Sequence, residues 1–415
     1  YINTTFDRAR HEAAESARRY RAGKPLGPLD GIPVAWKDTF DVRGVPTTAG
    51  SALLRNRAPA AEDAEVVAHL AAAGMVTLGK LNMSEFAYSA LGLNPHFGTP
   101  VNPWSGEQPR VPGGSSSGCG VAVASGLAPV SIGTDTGGSV RVPASFNGLV
   151  GYKPSYGRYG TRGLFELSRS LDTIGVFARC VEDCWVIDLA LRGASPTWPQ
   201  GVGSGNAVLH ETHLVVPANL LEHLMEAGVE ANFRAAIARF ADAGVHISVE
   251  IVPELDVIQN LSLRHGYIAS AEAYCTYEHL LEGPQAREIT PFVYRRIMAS
   301  KTMSAHDLLI LQRQRVALRD TLSTRLGDRV LAMPTTLHVA PMLHAVPDDL
   351  EAFAEMNART IRNTMWANML DACGVALPCG FDGAHMPTSI LLSARAGQDA
   401  ALLLRCMRLE ACLHD

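Results

Sequence analysis

Basic charge is in short supply in this sequence: 36 Lys and Arg stand against 41 Asp and Glu in 415 residues, a formal net charge of −5. No stripe of cations of the kind that nucleic acid or an anionic membrane surface selects can be read, so neither is expected as a partner. Cysteine pairs are missing as well. The eight cysteines are scattered without a C-x-x-C, and no H-E-x-x-H or comparable ligand spacing occurs. No metal site is read from this spacing, and the thiols are read as reduced, as in a cytoplasmic protein. Cys180 and Cys184, four positions apart, are read as packed thiols. Long apolar runs are absent: the longest, residues 121–132, is broken by Ser125, Gly126 and Pro129 and is too short for a bilayer. The chain begins at Tyr1 without a charged-then-apolar leader, so no targeting segment is read and residues can be missing before it. Internal repeats and low-complexity tracts are also lacking.

What is present is enough apolar material, 47% of the residues, to bury a large core. Residues 5–22 read as an amphipathic helix, 31–36 as a buried strand closed by Lys37 and Asp38, 62–73 as a helix and 75–78 as a strand. Residues 82–112 carry five prolines and little periodicity, a long ordered excursion of the sort that often serves function. Residues 148–163 read as turns, with 168–177 leading into a helix over 181–191. A boundary is expected at 196–204. Beyond it, strands are expected at 207–216, 246–252, 330–333, 375–378 and 389–393. Helices are expected at 226–243, 258–281, 305–326 and 399–413, with a helix ending in 367–374. Short strands alternating with helices predict an α/β fold.

The chemistry concentrates in residues 110–147, where two glycine–serine loops flank the run 121–132, itself read as helix then strand. Gly113 to Gly118 form the first loop and Gly133 to Ser139 the second, and both can return to one end of a sheet. Ser139 follows Gly137 and Gly138, whose missing side chains let backbone N–H groups turn inward as an oxyanion hole. A nucleophilic serine also needs a base. No histidine is close in sequence, although His96 or His338 could fold in. Lys37 at its strand end is the other choice. Keeping a lysine neutral at pH ~7.4 costs about 4 kcal/mol unless burial lowers its pKa, and Val34 and Trp36 argue for a dry setting.

These residues resemble a known family. G-G-S-S-S-G followed by G-T-D-T-G-G-S-V-R-V-P-A, with G-I-P-V-A-W-K-D far upstream, is similar to the amidase signature family. Ser115 stands 24 positions before Ser139, the family's spacing. K-L-N-M-S-E-F, L-D-T-I-G and G-V-A-L-P agree, so the resemblance spans residues 30–184 and, more thinly, the chain from 330. It implies one α/β domain over 1–415, a large mixed sheet between helix layers, with a core at about 25–190, a variable substrate-side region at 196–325 and a return to the core at 326–415. It implies no cofactor, a cytoplasmic free-standing bacterial amidase and a possible homodimer. By resemblance, Ser139 is the nucleophile, Ser115 the relay after a cis Gly–Ser peptide, and Lys37 the base. Thr136, Gly137, Gly138 and Ser139 hold the oxyanion, while Ser116, Asp135 and Arg141 brace the loops. A small-molecule amide is the substrate. Which amide is open, as is whether Tyr88, Tyr152 or Tyr159 lines its pocket.

Three other readings compete. The glutaminase subunit of a tRNA-dependent amidotransferase shares the motifs but works within a complex. Gly114-x-Ser116-x-Gly118 matches the elbow of α/β-hydrolases, with Asp382 and His385 in the right order, but residues 104–112 are too polar and proline-broken for the strand an elbow must follow. Gly74 to Lys80 imitates a phosphate-binding loop, yet Leu81 stands where Ser or Thr would hold magnesium.

Overall fold

The strand that carries Lys37 shows how the molecule is layered. In this computed structural model, which describes residues 1–199, 207–221 and 225–414, Val34 and Trp36 enter one hydrophobic core while Ala35 enters another. Alternate side chains on a strand point to opposite faces, so a strand buried on both sides reads as one continuous apolar run.

Among the described residues, eleven strands form one sheet: β1 (Asn3–Thr4), β2 (Pro33–Lys37), β3 (Val76–Leu81), β4 (Val130–Asp135), β5 (Val150–Lys153), β6 (Thr173–Ala178), β7 (His213–Pro217), β8 (His246–Glu250), β9 (Val330–Pro334), β10 (Cys373–Phe381) and β11 (Pro387–Ala394). Their order is β1-β3-β2-β4-β6-β5-β10-β11-β9-β7-β8. β2 runs parallel to β3 and β4, and β7 parallel to β8 and β9. The remaining pairs are antiparallel, so the sheet is mixed, as expected of the α/β class. The early and late parts of the chain meet where β5 pairs with β10.

One face carries the larger core, where Val66 and Leu70, Val186 and Ile187, and Leu402 and Cys406 come from helices Glu65–Ala72, Val181–Leu191 and Asp399–His414. The other face packs Ala35, Leu81 and Phe177 against helix Ser117–Ala124. Because β2 and β4 are adjacent and parallel, Lys37 and Asp135 emerge at the same end of the sheet. The two loops therefore converge there.

Several elements differ from the sequence reading. β5 lies in a stretch read as turns and β6 in one read as the approach to a helix. Residues 207–216 divide into a helical turn, Ala207–His210, and β7. The single helix expected at 258–281 is two, Pro253–His265 and Ile268–Leu281, parted at Gly266 with φ +91°. Helix Leu350–Ile361 was not expected. The boundary expected at 196–204 falls largely outside the described residues.

Candidate active site

Lys37 ends β2 with its side chain fully buried. Its Nζ lies 2.7 Å from Ser115 Oγ, 2.7 Å from Thr134 Oγ1 and 3.4 Å from the Thr134 carbonyl. Burial drives the ammonium down to about 8, against the pull of Asp172 and Asp135. The neighbouring Cys119 thiol, itself pushed by burial up to about 12, carries no charge at neutral pH to oppose that shift. Nζ can donate to all three oxygens as an ammonium, and on losing a proton it keeps two N–H donors and gains one lone pair. The carbonyl can only accept, so the lone pair of a neutral amine would be met by one of the two hydroxyls, Ser115 or Thr134.

The excursion over residues 82–112 braces the first loop. Ser84 N–H donates to the Ser115 carbonyl at 3.0 Å and Gly114 N–H to the Ala90 carbonyl at 2.7 Å. A Cβ on Gly114 would come within 2.5 Å of the Ser89 carbonyl oxygen, so only glycine fits. The Gly114–Ser115 peptide is cis. Ser116 N–H donates to the Ser139 carbonyl at 3.3 Å, tying the loops together, and Ser116 Oγ donates to the Thr134 carbonyl at 3.2 Å.

The second loop turns around a buried carboxylate. Asp135 accepts N–H groups of Gly138 at 2.8 Å and Val140 at 3.0 Å, and both Nε and Nη2 of Arg141 at 3.0 and 2.8 Å. Burial works to raise the Asp135 carboxyl, but the Arg141 charge and these donors outweigh it and hold it well below the usual carboxylate range. Arg141 reaches on to the Thr364 carbonyl at 2.9 Å and Asn368 Oδ1 at 2.7 Å. Thr364 in turn donates to the Gly137 carbonyl at 2.7 Å. Thr136 Oγ1 donates to Asp172 at 2.5 Å, and burial pushes the Asp172 carboxyl up to about 6.

The amides expected to face an oxyanion are differently engaged. Gly138 N–H is already committed to Asp135, whereas the amides of Thr136, Gly137 and Ser139 donate to no acceptor among the described residues. Gly138 is still required as glycine: its φ is +135°, and a Cβ would lie 2.2 Å from Thr364 Oγ1.

Ser139, with Thr136 and Gly137, borders a pocket enclosing about 600 Å³ of empty space, its mouth included. Tyr88 lines it. Tyr152 and Tyr159 do not; they are buried elsewhere, bonded to Asp399 at 2.9 Å and to Asp188 at 2.6 Å. The histidines are occupied away from the loops as well: His96 sits 3.1 Å from Glu85, and His338 bonds the Val339 carbonyl and Thr360. Asp382 closes its own turn by accepting N–H groups of Ala384 and Met386. Lys80 lies inside β3 rather than in a phosphate loop and pairs with Asp38 at 2.8 Å.

Sequence reasoning gave no role to Thr134, Asp172, Thr364 or Asn368, nor to the pocket residues Tyr267, Arg296 and Asn357. Asp172 lies in the quoted L-D-T-I-G, and Thr134 between two glycine-rich positions of the second loop. Those were the available signals. The others come from distant elements without a local motif.

The family model described as Amidase matches residues 1–403. A 2-amino-5-chloromuconic acid deaminase of Comamonas testosteroni is 35% identical, over 97% of this chain and 86% of that protein. A glutamyl-tRNA(Gln) amidotransferase subunit of Cupriavidus metallidurans is 31% identical over 94% and 85%. Among solved structures, one described as a crystal structure of amidase superposes with a TM-score of 0.85 at 31% identity, covering 99% of this chain and 91% of that one.

Proposed function

Because this chain belongs to the amidase family and is a hydrolase acting on C–N bonds, we propose that it cleaves a carboxamide through an acyl-enzyme on Ser139, with Ser115 and Lys37 relaying the proton. The observation that carries this reading is the 2.7 Å contact between Lys37 Nζ and Ser115 Oγ in a fully buried setting. A lysine held there without a carboxylate within ion-pairing distance among the described residues is suited to be neutral.

Ser139 Oγ attacks the amide carbon while its proton passes to Ser115 Oγ, whose own proton moves to the Lys37 lone pair. The N–H groups of Thr136, Gly137 and Ser139 receive the oxyanion, in place of the full set that includes Gly138. As the C–N bond breaks, Lys37 returns its proton through Ser115 to the leaving nitrogen. Ammonia or an amine departs, and the acyl group stays on Ser139. Water then attacks along the same relay, giving the carboxylate and free Ser139. Asp135, Arg141 and Ser116 hold the two loops in register.

The chain is read as active without a partner subunit, in the cytoplasm and as a possible homodimer; a glutaminase subunit that needs its complex is the second reading, favoured by the likeness to the amidotransferase subunit. Treating the purified chain with a small fluorophosphonate, followed by intact mass and peptide mapping, tests both the site and the reading. One adduct on Ser139, lost in Ser139→Ala and slowed by about 100-fold or more in Lys37→Ala, is expected, together with hydrolysis of simple amides by the chain alone. An adduct on Ser116, or undiminished labelling of Lys37→Ala, would overturn the assignment. Labelling at Ser139 without amide hydrolysis would favour the subunit reading.

A further inference from the structure

One wall of the Ser139 pocket carries a cation that the proposed proton relay does not use. Arg296, on helix Pro291–Met298, borders the same pocket as Ser139. Its guanidinium sits 4.6 Å from the centre of the Tyr88 ring, with Phe292 at 5.6 Å. Among the described residues it forms no hydrogen bond and has no carboxylate within 4.0 Å. Its neighbour Arg295, on the outside of the helix, is paired with Glu351. The contrast matters, because an acid within reach would have neutralised Arg296.

Among the described residues, the rest of the pocket has no acid either. Leu167, Leu171, Ile268, Met365 and Met369 supply apolar walls, and Tyr267 also borders the pocket. The Tyr88 hydroxyl is bonded to Ser270, and Asn357 Oδ1 accepts the Ala90 N–H at 2.8 Å. A guanidinium brought partly out of water with no counter-charge is costly, and stacking on an aromatic face offsets only part of that cost. Its place over the Tyr88 ring uses none of its N–H donors, which are left free for a planar, bidentate partner.

We propose that the acyl part of the substrate ends in a second, ionised carboxylate that Arg296 binds, so that this enzyme hydrolyses the half-amide of a dicarboxylic acid. The amide carbonyl lies at Ser139, the methylene or vinylene chain crosses the apolar walls, and the far carboxylate meets Arg296. One cation matches one monoanion. This inference rests on Ser139 being the nucleophile.

The test compares kcat/KM for succinamate, glutaramate and adipamate with butyramide, valeramide and hexanamide, which have the same carbon counts, in wild type, Arg296→Met and Arg296→Lys. At the best chain length, wild type is expected to prefer the carboxylate by about 10- to 100-fold, mostly through KM, a ratio that falls toward one in Arg296→Met. Arg296→Lys should keep part of it. Calorimetric titration with glutarate or adipate, which needs no reaction at Ser139, should show binding to wild type at least about 10-fold tighter than to a folded Arg296→Met. Equal use of neutral and carboxylate amides by wild type, or equal dicarboxylate binding by both proteins, would overturn the proposal. Dicarboxylate binding that depends on Arg296, in a protein that fluorophosphonate does not label at Ser139, would sink the nucleophile assignment while leaving the carboxylate site standing.

Discussion

In the proposed relay Lys37 can take a proton from Ser115 only while its amine is neutral, so its pKa would set the pH range of activity. Burial lowers it to about 8, still on the alkaline side of neutrality. Activity is therefore expected to rise with pH through about 8, where the neutral fraction crosses one half, and to fall below it as the ammonium forms. Measured kcat/KM against pH should show that acid limb, and Lys37→Ala should remove it along with about 10²- to 10⁴-fold of the rate. A limb near 6 in wild type would instead point to Asp172, whose carboxyl burial pushes up to about 6. Lys37 stood out in the sequence because an apolar run led straight into it. Thr134, its second hydroxyl neighbour at 2.7 Å, gave no such sign, since a threonine at a strand end is ordinary.

At the scale of elements, the loop after β4 is held by one buried ion pair rather than by regular structure. Arg141 and Asp135 are both fully buried and 2.8 Å apart, and the guanidinium also ties the loop to residues 364–368. Arg141→Met would leave the Asp135 carboxylate buried without its cation, a loss of about 3–5 kcal/mol by the usual cost of breaking such a pair. Urea unfolding should register it, and Arg141→Lys should recover only part, because an ammonium cannot reproduce the fork that spans Asp135, the Thr364 carbonyl and Asn368. An Arg141→Met protein as stable as wild type would contradict that role for the pair. Local sequence displayed the loop itself, its glycines and its Asp135, but not the distant carbonyl that Arg141 meets. The same limit explains the strands. β2 and β4 were legible as apolar runs with polar ends. β6, Thr-Ile-Gly-Val-Phe-Ala, is buried at all six positions, and a continuous apolar run has no period with which to tell a strand from a helix. β5 is a strand because β6 and β10 flank it, and its glycine-rich neighbourhood hides that.

Across the whole molecule, the sheet joins the early and late parts of the chain, and the helices that cover it are joined in the same way. Helix Asp399–His414 packs beside helix Val181–Leu191, where Glu410 accepts the Val181 N–H at 3.0 Å. Burial, together with the nearby Asp183 and Glu182 carboxylates, pushes the Glu410 carboxyl from 4.5 up to about 7, against the Val181 hydrogen bond. A carboxyl that holds its proton more tightly when folded favours the folded state at low pH. That contribution fades as pH rises from about 4.5 through about 7 and is gone above it. Glu410→Gln keeps a carbonyl acceptor for Val181 but never ionises, so relative to wild type it is expected to gain about 1–3 kcal/mol between about pH 5 and pH 8. Paired urea titrations of the two proteins at those pH values measure that difference directly, because other titrating groups cancel between them. A difference of zero would mean that Glu410 meets water or a cation in the folded protein, and that the closing helix is held to the core by apolar packing of Leu402, Cys406 and Leu409 alone.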